Sequence, residues 1–214
     1  KAMNLDVNSF FEMTELVSTI ANNPEDYASF YHNYKGKRYR HDRVHNLFGY
    51  YMTRSASEAF QRYLPEKRIL LFSRASYIGM HRYGGIWQGD NLSWWSHLKM
   101  NVQMMPSLNM CGYLYTGADT GGFGADVTED LLLRWMEFAV FTPLFRNHSA
   151  RGTRQQEVYR FSHEERFLHV IGARYQLLPY LYSEYMKAAL SGTMMFSPLS
   201  FIYGKDALAR QVED

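Results

Sequence analysis

Between Arg68 and Ser149 the chain repeats one pattern, and that repeat limits its fold more than any other feature. Short apolar runs, "RILLFSR" (68–74), "CGYLYTGAD" (111–119) and "FTPLFRNHS" (141–149), each close on polar or charged residues: Arg74, Asp119, then Arg146 and His148. Helix-forming segments separate them, over about 93–105 and 129–141, and a longer amphipathic helix is expected over 163–190 despite Pro179. "GGFGADVTED" prepares the second of these, with Thr128 as N-cap and Glu129 and Asp130 in the first turn. Strand–loop–helix units at roughly 30-residue spacing predict βαβ crossovers and a parallel sheet. A doubly wound open sheet shows the same alternation, but no GxGxxG follows a first strand. Chemistry gathered at the ends of successive strands favours an α/β barrel instead, and only about half of one is present.

The flanking segments are less regular. Apolar spacing predicts helices over 8–22 and 46–63, whereas the Tyr-rich, basic stretch 24–45 has no period and reads as a long loop. "GTMMFSPLSFIYG" (192–204) is strand-like and reads as the beginning of a different unit. The expected organisation is therefore α/β: residues 1–191 as the C-terminal half of a (β/α)8 TIM-type barrel, and 192–214 as the start of a following β-domain, expected to be a β-sandwich. Unpaired parallel strands expose an edge, which predicts that the segment either belongs to a longer chain or self-associates as a homo-oligomer. The absence of an initiator Met at Lys1 points the same way.

A net charge of +2 gives no reason to expect nucleic acid or an anionic membrane as partner. No apolar run approaches the roughly 20 residues that span a bilayer. One cysteine, Cys111, excludes an internal disulfide framework and leans towards a reducing, cytoplasmic location. Neither HExxH spacing nor a zinc ribbon is present, so no metal and no cofactor is expected. Aromatic content is high, at 16%. Most rings belong in the core, but a sugar site would use some as stacking walls.

"GGIWQGDNLSWWSHLKMN" (84–101) sets Asp90 among Trp87, Trp94 and Trp95. As a loop residue Asp90 caps the following helix. As a carboxyl beside apolar rings it loses hydration and keeps a proton near neutral pH, as a general acid for glycosidic cleavage requires. Asp119 either starts a turn or accepts sugar hydroxyls beside Phe123. Arg74 is either a structural ion pair or a fork that steadies a catalytic carboxylate. His148 could donate to a substrate hydroxyl, although a lone His is usually structural. The methionines at 100, 104, 105 and 110 read as packing, and "RGTRQQE" and "YKGKRYRHDR" as solvated loops.

Four segments in order, "LLFSRASYIGMHRYGGIWQGDN", "CGYLYTGADTGGFG", "TEDLLLRWMEFAVFTPLFRNHS" and "RYQLLPYLYSEY", resemble glycoside hydrolase family 31, the α-glucosidases and α-xylosidases, from about residue 44 to about 192. The resemblance implies a (β/α)8 barrel and a retaining, exo-acting glycosidase that cleaves terminal α-linked glucose from an oligosaccharide. It implies Asp90 as acid/base, Arg74 and His148 as sugar contacts, Trp87 and Phe123 as subsite walls, and Asp119 as the aspartate of "GAD". An α-xylosidase, a transglucosidase or a non-catalytic carbohydrate-binding barrel are the alternatives. The family's nucleophile motif, W-x-D-M-N-E, has no counterpart here. "FEMTE" (11–15) is a superficial echo in a helical stretch, and the run around Asp6 is no better. The nucleophile is therefore expected upstream of Lys1, and the fragment alone is expected to be inactive.

Overall fold

A computed structural model describes residues 24–212; the predicted helix at 8–22, Asp6 and "FEMTE" lie outside them. The described residues fall into two compact bodies divided after Phe48.

In the first body the stretch expected to be a loop contains regular elements. Helix α1 (Pro24–Ser29) leads into an antiparallel hairpin, β1 (Tyr31–Tyr34) with β2 (Lys37–Arg40), and then α2 (His41–Val44). These elements are too short for periodicity to show, and the hairpin turn rests on Lys35 and Gly36 at positive φ. His41 lies between His32 and His45, with ring nitrogens at 2.9 and 3.2 Å, and burial together with those two neighbours lowers its pKa.

The second body follows the predicted rhythm more closely. Helix α3 (Leu47–Tyr63) crosses into it. Four parallel segments then lie side by side in chain order. They contain β3 (Phe72–Ser73), β4 (Gly85–Ile86), β5 (Asp119–Thr120) and β6 (Arg146–Asn147). Phe72 pairs with Gly85, and Asp119 with Arg146. Between these pairs the Ile86 amide donates to Tyr115 O and the Gln88 amide to Gly117 O, while Leu144 N reaches Thr116 O. The result is an arc of a parallel barrel with β4 as a strand that composition hides. Its glycine is required by close approach: a Cβ on Gly85 would lie 2.3 Å from Tyr115 O, and one on Gly117 2.3 Å from Leu144 O.

Helices cover this arc. Helix α4 (Trp95–Met110) follows β4 and runs past the expected end at 105, with Pro106 inside it. Helix α5 (Glu129–Ala139) begins as predicted, the Thr128 hydroxyl accepting from Leu131 N. Its Leu131, Leu132, Trp135 and Met136 are buried and pack with Val127, Phe167 and Val170 into the main core. Emptying the Trp135 or Phe167 position would cost about 3–5 kcal/mol. Helix α6 (Glu164–Ser191) tolerates Pro179 and ends on Gly192 in the left-handed region. Its Arg174 donates to the carbonyls of Val140, Thr142 and Pro143, tying down the C-cap of α5 and the turn that follows it.

The segment 192–204 is not a strand. Asn109 Oδ1 accepts from the amides of Met195 and Phe196, and a short helix α7 (Leu199–Ile202) follows Pro198.

Candidate functional site

Because the four strands are parallel, their C-terminal ends share one side of the arc, and every candidate residue stands there or in the loop just beyond. Asp90 follows β4. Its carboxylate accepts from Arg74 Nη1 at 3.0 Å, and it does not cap α4, whose N-cap is Trp94 without a side-chain bond. With Asp90 44% and Arg74 61% exposed, the pair is worth at most about 1 kcal/mol in water and acts chiefly to orient. The two tryptophans that follow Asp90 are each 52% exposed at the start of α4.

What fixes Asp90 is its loop. The Asn91 carbonyl accepts from the amides of Phe123 and Gly124, at 2.6 and 3.0 Å. Ser93 N donates to Gly124 O, and its hydroxyl bonds to the carbonyls of Gly124 and Ala125. The buried Asn91 amide, in the orientation its neighbours satisfy, accepts from Asn101 Nδ2 of α4 and donates to the carbonyls of Gln88 and Gly89. Loop 88–93 is thus tied on one side to loop 121–125 and on the other to a helix.

Asp119 is fully buried. Arg146 Nη2 donates to its Oδ1, and the guanidinium sits 5.7 Å from the Trp87 ring and 5.6 Å from that of Phe72. Burial holds the Asp119 carboxyl above the usual carboxylate range; Arg146 and His148 oppose this, and the charge of Asp90 adds to it. Among the described residues Asp119 Oδ2 and Trp87 Nε1 are buried without a hydrogen-bond partner. Phe123 and His148 form a second pair, ring centroids 5.1 Å apart and inclined by 31°. A cavity of about 450 Å³ is lined by Arg74, Trp87, Asp90, Asn91 and His97. A larger one of about 700 Å³, among Leu70, Gly85, Tyr113 and Tyr185, contains none of the candidates.

The arrangement therefore joins Arg74 to Asp90, Trp87 to Asp119 through Arg146, and Phe123 to His148. Sequence reasoning missed the residues that hold these pairs. Arg146 was visible only as a strand end. Gln156 sits in the stretch "RGTRQQE", read above as a solvated loop, yet it is buried. Its amide nitrogen lies within bonding distance of Thr120 O, Gly122 O, Asn147 Oδ1 and His148 O, so it clamps the loop bearing Phe123 to the strand end bearing His148. No local signal marks one glutamine in a polar run as buried.

A family model described as the glycosyl hydrolases family 31 TIM-barrel domain matches residues 3–184. The chain is 38% identical over 177 residues to alpha-glucosidase 2 of Bacillus thermoamyloliquefaciens, covering 82% of this chain and 22% of that protein. It is 35% identical to mouse neutral alpha-glucosidase C, covering 82% and 20%. Among solved structures, a family 31 alpha-glucosidase from Bacteroides thetaiotaomicron superposes with a TM-score of 0.76 at 34% identity, covering 85% of this chain and 31% of that one. A Flavobacterium johnsoniae GH31 dextranase complexed with glucose gives 0.78 at 26% identity, covering 90% and 25%. The chain thus spans well under half the length of each of these relatives.

Proposed function

Since this chain belongs to glycosyl hydrolase family 31 and forms part of its TIM-barrel domain, we propose that Asp90 is the general acid/base of a retaining, exo-acting α-glucosidase. The observation that carries the reading is the placement of Asp90: at a strand's C-terminal end, lining a cavity, on a loop pinned from two sides, with Arg74 on its carboxylate. The names of the relatives, several of them alpha-glucosidases, support the substrate class.

In the proposed cycle Asp90 protonates the glycosidic oxygen while a second carboxylate attacks the anomeric carbon. Asp90 then takes a proton from the water that releases the sugar. Retention requires the two carboxyl groups about 5–5.5 Å apart. Asp119, the buried acid nearby, is held by Arg146, and the sequence has no W-x-D-M-N-E motif, so the proposed nucleophile lies upstream of Lys1. Asp119 Oδ2 and Trp87 Nε1 would accept from and donate to sugar hydroxyls, and a hydroxyl bond lost from such a site leaves a buried group unpaired. Phe123 and His148 would form one wall.

The proposal keeps residues 1–191 as barrel and 192–214 as the start of the next domain, a cytoplasmic location, and self-association of the isolated segment. Among the described residues no helix is long and apolar enough to cross a membrane. Two measurements test the catalytic reading. The 214-residue chain should not turn over p-nitrophenyl α-glucoside; turnover abolished by Asp90→Asn would overturn the external nucleophile. In an enzyme containing this segment, Asp90→Asn should lose most activity on poor leaving groups, and a small loss would overturn the acid/base assignment.

A further inference from the structure

We propose that His97 is a positioning residue: its neutral imidazole latches the loop carrying Asp90 to helix α4. The inference rests on the reading of Asp90 given above. Leu92, two residues after Asp90, donates its amide to His97 Nδ1 at 2.8 Å. His97 is the third residue of α4, counted after the N-cap Trp94. A side chain at that position reaching back to an amide before the helix repeats the logic of a capping box, with an imidazole in place of Glu or Gln. It satisfies a donor that neither the strand ladder nor the α4 backbone takes up. Loop 121–125 holds the far side of loop 88–93, and His97 with Asn101 holds the near side.

The latch has a chemical condition. Nδ1 accepts only while it is unprotonated, so the neutral ring carries its proton on Nε2. An imidazolium would set Nδ1–H against Leu92 N–H and break the bond. The first turn of a helix also disfavours positive charge. The charged side chains sharing the cavity with His97 are Arg74 and Asp90, which act on an imidazolium in opposite senses. Trp94 packs edge-on against the ring, 5.2 Å between centroids, and limits its rotation. A proton on Nδ1 should therefore release the Asp90 loop from α4.

One arm of the test needs no activity. In the 214-residue chain labelled with [15N]leucine and [15N]histidine, His97 should show the Nε2–H tautomer. The Leu92 amide should be protected from exchange at neutral pH, and should shift and lose protection with the ionisation of His97. His97→Asn, which keeps an acceptor but cannot titrate, should leave that amide protected and insensitive to pH. His97→Ala should expose it at every pH. An Nδ1–H tautomer, or a Leu92 amide blind to His97 ionisation, overturns the latch.

The second arm uses an enzyme containing the segment. His97→Ala should lower kcat/KM about fivefold, what one net hydrogen bond is worth. His97→Asn, which keeps the acceptor, should recover most of that loss. A latch seen by NMR together with unchanged kcat/KM in His97→Ala would overturn the positioning role and leave a helix cap. Full activity in Asp90→Asn would instead condemn the reading of Asp90, which the NMR arm does not use.

Discussion

Replacing Gly122 by alanine tests whether the Asp90 loop depends on close backbone contact with its neighbour. Gly122 has φ of +90°, where a Cβ costs about 1–2 kcal/mol. An added Cβ would also lie 2.6 Å from Ser93 N and 2.7 Å from Leu92 C and Ser93 Cα. These are backbone atoms, so no rotamer change relieves the contact and the two loops must part. Parting them threatens the Ser93 N to Gly124 O and Phe123 N to Asn91 O bonds, each worth about 1 kcal/mol net. The expected total is about 3–4 kcal/mol. Gly152→Ala is the control: φ is +93° and nothing lies within 4 Å of its added Cβ, so only the conformational cost of about 1–2 kcal/mol applies. At about 2–4 °C per kcal/mol for a chain of this size, Gly122→Ala should lower the melting temperature by roughly 6–16 °C and Gly152→Ala by roughly 2–8 °C, the first about twice the second or more. Thermal melts followed by circular dichroism measure both. Equal losses would show that the loops are not in the contact described.

Three further outcomes follow from the packing. Burial raises the Asp119 pKa, so the folded state binds that proton more tightly than the unfolded chain. The associated stability is complete below the unfolded carboxylate pKa, is lost as pH rises through the folded one, and is flat above it. Urea titrations across the acidic range should show that decline in the native chain and less of it in Asp119→Asn. Arg174→Met keeps the apolar stem but strands the carbonyls of Val140, Thr142 and Pro143 in the turn after α5, which should cost about 2–4 kcal/mol in urea denaturation. Gln156→Leu should cost about 1–3 kcal/mol. In an enzyme containing the segment it should raise KM more than it lowers kcat, because it frees the supports of Phe123 and His148.

The sequence announced the strand ends well, because Arg74, Asp119, Arg146 and His148 break apolar runs abruptly. Helix α5 was equally clear, its Thr128 cap and acidic first turn being local signals. Strand β4 was hidden because Gly84 and Gly85 read as loop; the glycines reflect close approach to the neighbouring strand, a long-range fact. Residues 24–45 misled for another reason: elements of four to six residues are shorter than the window in which periodicity shows. Each of the six candidate side chains is legible alone in the sequence, but their pairing is not. Arg146 on Asp119 and Gln156 across two loops are contacts between segments that sequence reasoning treats separately.

The most direct measurement is the anomeric configuration of a rescued product. In an enzyme containing this segment, Asp90→Ala with azide and an activated aryl α-glucoside should yield α-glucosyl azide, because azide displaces the nucleophile from a β-linked intermediate without needing the missing base. Formation of β-glucosyl azide would make Asp90 the nucleophile, and undiminished hydrolysis without azide would remove it from the chemistry altogether.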